Sequence, residues 1–307
     1  MRSSPAAASG IATAALAGAL LSGCQAFTGD FRVSPGAGGG GGGDTTPDGG
    51  GGGGGGDSTL SNEALVVRYY LDEAATGLAP TTVVDAGPEP LLPLLVDADA
   101  EGSGLTYVTV DGHRGLRFET LDLDARVLSP ADDGKIETSL EGQTSATIEL
   151  VAAIEEVDVS DQSRLVWIGA GNESGRFALN ARDTNELEFR WQPGSQVGGR
   201  WITDLGLRGV VHLVVDTADP EPAQRARLFR DGVEIARSGG DPPELGEPIG
   251  LVGADENRNH LALGNAEGRF RNPVGDIYYA AIYARPLRED EIRRHAALLL
   301  ENDDTPP

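Results

Sequence analysis

Few side chains in this 307-residue chain are of the types that do chemistry, and their spacing removes the commonest arrangements. The four histidines, His113, His212, His260 and His295, are scattered, with no H-E-x-x-H and no close pair, so an imidazole metal site is not expected. His212, inside the apolar run VVHLVV, reads as a half-buried structural residue. No serine has glycine two places away on both sides, which removes the nucleophile elbow of serine hydrolases. GAGNES, residues 169–174, is one residue short of the dinucleotide-binding G-x-G-x-x-G and follows a strand pattern. Phe177, Leu179 and Ala181 then alternate, so a second strand stands where the phosphate-binding helix would begin. The stretch reads as a hairpin loop.

The single cysteine, Cys24, has no partner for a disulfide or for a C-x-x-C zinc site, so its meaning comes from its position. Arg2 supplies one positive charge, and residues 11–21 are apolar or small apart from Thr13. Such a run rises about 16 Å as a helix, short of a bilayer core of about 30 Å. Residues 1–23 therefore read as a signal peptide and not as a membrane span. Leu21-Ser22-Gly23-Cys24 resembles the bacterial lipobox, which implies cleavage before Cys24 and a diacylglycerol on its thiol. Gln25 stands where aspartate would signal retention at the inner membrane, and this points to the outer membrane.

Residues 24–60 then carry glycine runs at 38–43 and 49–56. Glycine loses the most backbone entropy on ordering and has no side chain to bury, so this segment reads as a flexible tether with a span of roughly 30–36 Å. Residues 61–301 have the length of one large domain. A net charge of −24 with no basic run argues against nucleic acid and anionic lipid surfaces as partners.

Within that domain the periodicity is that of short strands. Residues 64–71, 144–154, 164–168, 177–181, 186–191, 210–216, 226–229, 233–236 and 276–283 are alternating or β-branched and are separated by Gly, Pro, Asn or Asp. No helical pattern intervenes, which disfavours a parallel sheet. RLFRDGVEIARS predicts a tight hairpin at Asp231-Gly232, a pair suited to two successive positive φ angles. Near the end, RPLREDEIRRHAALLLEN predicts the one helix: Pro286, Glu289, Asp290 and Glu291 suit its start, and Ile292, Ala296 and Leu299 form an apolar stripe. The expected architecture is an antiparallel β-sandwich closed by a short C-terminal helix.

The order of LVVRYYLDEAATG, GLRFE, SATIEL, GVVHLVVD, LFRDGVEIA, LALGN and VGDIYYAAIYARPLREDEI resembles the laminin-G-like, concanavalin-A-like jelly-roll domains of bacterial surface proteins. The resemblance runs over residues 64–298 and is most specific at its end, in the aromatic strand, Tyr-x-Arg-x-Leu and the acidic helix start. It implies two stacked antiparallel sheets, a concave face and variable rim loops, with binding of glycans or proteins and, in some relatives, calcium or glycanase activity. Glycanases of this kind carry E-x-D-x-E along one strand; here Glu156 and Asp158 keep the spacing, but the third position is Ser160. Of the calcium ligands the resemblance implies, Asp85 is the one candidate kept, because Tyr278-Tyr279 replaces the later acidic pair.

A sugar site needs an exposed ring with a few amides or carboxylates. Trp191 shares its parity with Leu187 and Phe189 and is expected in the core, as is Trp167. Trp201 is the rim candidate, and the polar loop GADENRNH could supply Asp255, Asn257 and Asn259. The expectation is a lipid-anchored envelope protein whose jelly-roll domain, residues 61–301, binds extracellular glycan or surface protein without catalysis, ahead of a disordered tail at 302–307. The other readings are an envelope structural protein with a fixed partner and a glycan-active enzyme of the same fold. No cofactor is required, and calcium alone is kept as a candidate.

Overall fold

In a computed structural model the described residues are 58–306, apart from 79–80, 98–103, 122–124, 131–133, 159, 161, 171–175, 192–195, 240–247, 252–258 and 267–270. Contacts divide the chain into Met1–Gly55 and Gly56–Pro307, and the account below concerns the second unit. Cys24, the signal peptide, the glycine runs, Asp255 and Asn257 lie outside the described residues.

In chain order the strands are β1 (Leu65–Tyr70), β2 (Thr82–Val83), β3 (Leu94–Asp97), β4 (Leu105–Val110), β5 (His113–Phe118) and β6 (Arg126–Leu128). A short helix, α1 (Lys135–Leu140), precedes β7 (Ser145–Glu156), β8 (Ser163–Gly169), β9 (Phe177–Asp183), β10 (Glu186–Trp191), β11 (Gln196–Ile202) and β12 (Gly209–Asp216). Then come β13 (Ala226–Arg230), β14 (Val233–Ile235), β15 (Arg237–Gly239), β16 (His260–Leu263), β17 (Val274–Tyr283) and the helix α2 (Glu289–Glu301). Eight of these strands make one antiparallel sheet, in the order β14-β13-β12-β7-β17-β5-β4 with β1 also on β17. The other nine make a second, in the order β15-β11-β10-β9-β8-β16-β6-β3-β2.

Alternation decides what lies between the sheets. Ile148, Leu150 and Ile154 of β7 and Leu213 of β12 meet Leu179 of β9 and Leu187, Phe189 and Trp191 of β10 in one buried cluster drawn from both sheets. The fold is therefore the expected all-β sandwich. Asp231 and Gly232 have φ of 52° and 80°, and Arg230 pairs with Val233, so the predicted hairpin forms. The same turn chemistry closes β4 onto β5 at Asp111-Gly112. The helix α1 is an addition to the expected elements; at six residues it is too short to show a period.

The opposite face of the eight-stranded sheet is covered by α2. Ile292, Ala296 and Leu299, the predicted stripe, pack with Val151, Val210, Val214, Tyr279 and Tyr283. Beneath the helix lies a fully buried carboxylate, Glu149 of β7. His212 of β12 donates from Nε2 to its Oε2 at 2.9 Å, and His295 of α2 donates from Nδ1 to the same oxygen at 2.7 Å. The Tyr279 and Tyr283 hydroxyls donate to Oε1 at 2.8 and 3.2 Å. Arg68 of β1 donates to both tyrosine oxygens, and the Ser61 N–H donates to His295 Nε2 at 3.0 Å. Burial by itself raises the Glu149 pKa, but hydrogen bonds from the two imidazoles outweigh it and hold the carboxyl below its usual range. Burial and the Glu149 charge push both tyrosine hydroxyls above theirs, which keeps them donors. His212 is thus fully buried and hydrogen-bonded, not half-buried as its sequence suggested.

The segment after α2, expected to be a disordered tail, is described through residue 306 and makes contacts with the sandwich. Asp303 is fully buried; Arg208 Nη2 lies 2.6 Å from its Oδ2 and His113 Nδ1 lies 2.8 Å from its Oδ1. Thr305 donates to Asp72 through both its backbone N–H and its hydroxyl. Charges in this stretch find partners on three strands or their flanks.

At the start of α2 the Glu291 carboxylate accepts from the Arg288 backbone N–H at 3.1 Å and from both Nη atoms of Arg285 at 2.7 and 2.9 Å. The Arg285 hydrogen bonds hold its pKa down to about 2. Glu291 and Glu149 both have folded-state pKa values below the ordinary 4.5, so their stabilisation is complete above that pH and is lost as pH falls below it. The urea midpoint should drop between about pH 5 and about pH 3, and Glu291→Gln should remove part of that drop. A midpoint constant across this window would contradict the assignment.

Candidate functional site

Opposite its core side, the nine-stranded sheet presents a different surface. The alternation that turns Leu179 and Ala181 of β9 and Leu187, Phe189 and Trp191 of β10 inward turns Ala178, Asn180, Glu188 and Arg190 outward. Register then assembles a polar row across four strands. Arg164 pairs with Asn180, Asn180 with Glu188, and Glu188 with Arg200. Beside it runs a second row, in which Trp167 is flanked by Ala262 and Ala178, and Ala178 pairs in turn with Arg190.

Glu188 is fully buried in the first row. Arg200 Nε donates to its Oε2 at 2.7 Å, Arg182 Nε lies 3.6 Å from the same oxygen, and Arg190 Nε meets Oε1. The Gln162 amide, oriented to satisfy its neighbours, donates to Glu188 Oε1 at 3.1 Å and accepts from Arg190 Nη2 at 3.1 Å. The side chains of Arg182 and Arg200 remain 32% exposed. Among the described residues of this surface, the guanidiniums of Arg182, Arg190 and Arg200 gather around the Glu188 carboxylate, and Arg182 also reaches Glu186 at 3.5 Å.

Asn180, also fully buried, has neither its Oδ1 nor its Nδ2 paired within the protein, and Trp167 Nε1 is likewise unpartnered. Each such group costs about 1–3 kcal/mol of lost hydration. Native structures keep them where a ligand or bound water completes the bonding. Chemically, the surface offers an amide that can both donate and accept, an indole N–H and a set of guanidiniums.

The residues singled out in the sequence fall elsewhere. Trp201, the rim candidate, is 1% exposed in the main core, with the Arg237 guanidinium over its ring at 5.8 Å. Trp167, assigned to the core, is fully buried as expected, in a small cluster of its own with Ala178, Ala262 and Ala266. The misplacement of Trp201 comes from strand register: single strands do not reveal which parity faces the partner sheet. Asn259 is buried, with Oδ1 accepting from Arg176 and Nδ2 donating to Glu137 and to the Leu251 carbonyl. Its amide is committed to the fold. Glu156 ends β7 in solvent, and Asp158 accepts from both the N–H and the hydroxyl of Ser160 in a local turn.

Asp85 accepts from the backbone N–H groups of Arg68 and Gly87 at Oδ1 and from that of Leu92 at Oδ2. The Lys135 ammonium of α1 donates to Oδ2 at 2.6 Å and to the Pro88 carbonyl at 2.7 Å. Four donors occupy this carboxylate, one of them a lysine, at the residue kept as the candidate calcium ligand. Among the described residues, Glu149, His212 and His295 form the one group of three whose potential ligand atoms lie within 4.8 Å of one another. Contacts of 2.7 and 2.9 Å from imidazole nitrogen to carboxylate are hydrogen-bond lengths, and both carboxylate oxygens already accept two bonds each. These atoms are organised around shared protons, not around a metal.

No protein-family model matches the chain, and no curated protein sequence matches it. Solved structures do. A Trypanosoma rangeli sialidase bound to 2,3-difluorosialic acid aligns over 79% of this chain and 34% of its own, at 16% identity and a TM-score of 0.50. The binding domain of botulinum neurotoxin DC, in complex with rat synaptotagmin II, aligns over 77% and 52%, at 12% identity and a TM-score of 0.52. Domain 4 of AbnA, an extracellular arabinanase from Geobacillus stearothermophilus, in complex with arabinotriose, aligns over 76% and 98%, at 15% identity and a TM-score of 0.46. The chain thus spans about a third of the length of the sialidase and about half that of the toxin domain. The likeness is one of fold, a β-sandwich of concanavalin-like, jelly-roll type.

Lys135→Ala would leave the Asp85 carboxylate buried beside an empty volume, and it should lower the unfolding free energy by about 3–5 kcal/mol in denaturant titration. Millimolar calcium should leave the melting temperature of the unsubstituted protein unchanged; a calcium-dependent rise would return Asp85 to the role of metal ligand.

Proposed function

We propose that this protein is a lipid-anchored, non-catalytic carbohydrate-binding protein of the bacterial cell envelope, and that it takes its ligand on the outward face of the nine-stranded sheet. The observation that carries the reading is the Asn180 amide, buried with both ends unpaired, beside the unpartnered indole N–H of Trp167 and half-exposed arginines. Sugar hydroxyls both donate and accept, so they complete such a surface where an apolar partner would not. Of the large exposed apolar residues, only Ile202 belongs to these central strands, whereas a protein interface is built around an apolar centre. The sialidase and the toxin binding domain supply the fold analogy, and fold by itself selects no ligand.

Absence of turnover is part of the proposal. Ser160 stands where the third carboxylate of the Glu156, Asp158 series would be, Asp158 is held by Ser160 in a turn, and Glu188 is engaged by arginines through both oxygens. Anchoring rests on Leu21-Ser22-Gly23-Cys24, and the outer membrane on Gln25.

Two measurements test this. On a broad glycan array the protein should bind a defined sugar family, and Asn180→Ala should weaken that binding by about tenfold or more while leaving the melting temperature close to unchanged. Unaltered binding by the variant would remove this face as the site. Cys24→Ser should move the protein from the membrane fraction to the soluble one, and unchanged fractionation would end the anchor proposal.

A further inference from the structure

The buried network beneath α2 includes a side chain whose two hydrogen bonds require it to be uncharged. His295 is fully buried, with Nδ1 donating to Glu149 Oε2 at 2.7 Å and Nε2 accepting the Ser61 N–H at 3.0 Å. An imidazole that donates at one nitrogen and accepts at the other is neutral, and its two partners fix the tautomer. We infer that His295 is a pH-sensitive latch on the chain segment that enters the domain: when the ring takes up a proton, residues 59–62 let go of α2 while the sandwich stays folded.

Protonation turns Nε2 into a donor and leaves it facing a second donor, the Ser61 N–H. The new charge also joins a network that already holds the Arg68 guanidinium, whose Nη2 donates to the Ser61 carbonyl and whose Nη1 donates to Asn62 Oδ1, each at 2.8 Å. Repulsion between the two cations weakens those holds in a place shielded from water. What remains is Arg285, which donates to Ser61 Oγ at 3.2 Å and to the Glu63 carbonyl at 3.0 Å, the second of these at an exposed position.

The groups around the ring act in both directions. Glu149 on β7 favours a charged imidazole, and Arg68 on β1 opposes it. Tyr283 on β17, with its ring centroid 6.0 Å from that of His295, and Tyr279 beside it spend their hydroxyl protons on Glu149, and Tyr70 of β1 packs edge-on against Tyr279. On α2 itself, Glu291 is already held by Arg285 and Arg288. His212 on β12 shares the Glu149 oxygen, but its Nδ1 is buried without a partner, so a proton placed there meets no acceptor. A proton on His295 Nε2 meets water once Ser61, itself partly exposed, has moved away. The latched state thus binds one proton fewer than the released state. Release is favoured as pH falls and reversed as it rises, by up to about tenfold in the population ratio per pH unit.

The test is amide hydrogen exchange read by NMR on the full-length protein in detergent, corrected for the intrinsic pH dependence of exchange, with the His295 ring nitrogens followed in the same samples. Between about pH 7 and about pH 5, above the range in which Glu149 and Glu291 take up protons, protection of the Ser61 N–H should fall by up to about tenfold per unit. That fall should coincide with protonation of His295, and the amides of β12 and α2 should keep their protection. His295→Gln, which takes up no proton, should make the Ser61 protection independent of pH over the same range. If that variant does not fold, the coincidence in the unsubstituted protein decides alone. Constant Ser61 protection in the unsubstituted protein overturns the inference. So does protection lost in step with β12 and α2, which is unfolding, or lost without protonation of His295.

Discussion

A carboxylate with no exposure to water must be supplied with donors, and the fold is organised around supplying one. Glu149 draws four of them from three segments: His212 on β12, Tyr279 and Tyr283 on β17, and His295 on α2. Arg68 on β1 backs the two tyrosines and brings a full positive charge within one bond of the network. Removing a charge of this size from water costs several kcal/mol unless the geometry is well matched. One register of helix on sheet therefore satisfies the network, and shifting α2 by a turn would strand His295 and Glu149 together. Apolar packing by Ile292, Ala296 and Leu299 holds the helix down, but apolar packing alone tolerates sliding in a way that a shared carboxylate does not.

Three of the buried carboxylates of the domain, Glu149, Asp85 and Glu188, meet the same demand in different currencies. Glu149 uses neutral donors and a distant guanidinium, Asp85 uses three backbone N–H groups and one ammonium, and Glu188 uses guanidiniums and an amide. The first two are closed systems in which every carboxylate oxygen is committed. The third is open, because two of its arginines are exposed and the neighbouring Asn180 is left unpaired. That difference, more than acidity or burial, separates a structural cluster from a surface able to exchange one partner for another.

Much of this was legible in single strands. The Asp231-Gly232 turn, the stripe of α2 and the parity of β7 and β10 follow from local rules, and the helix begins where Glu291 reaches back to the Arg288 N–H. What single strands do not carry is pairing. The row Arg164, Asn180, Glu188, Arg200 exists only once β8, β9, β10 and β11 are in register, although each residue shows its outward parity alone. The burial of Trp201, expected at the rim, has the same origin. A β-bulge between Ile277 and Tyr279 adds a second difficulty: it inserts Tyr278 and sets two consecutive tyrosines in the cluster beneath α2, which strict alternation forbids. The convergence of His212 and His295, 83 positions apart, was invisible for the plainest reason, that a contact between a strand and a distant helix leaves no local pattern.

The first described residues of the domain are also part of its innermost network. Ser61 gives its N–H to His295 and its carbonyl to Arg68, while Asn62 takes the other end of the same guanidinium. A mechanical load arriving along the chain from residue 58 reaches this clamp before it reaches the ladder between β1 and β17. Tension would be met first by a few short polar contacts linked to a buried charge, which act as a stiff fuse, and the sheet behind them would stay unstretched until that fuse had opened.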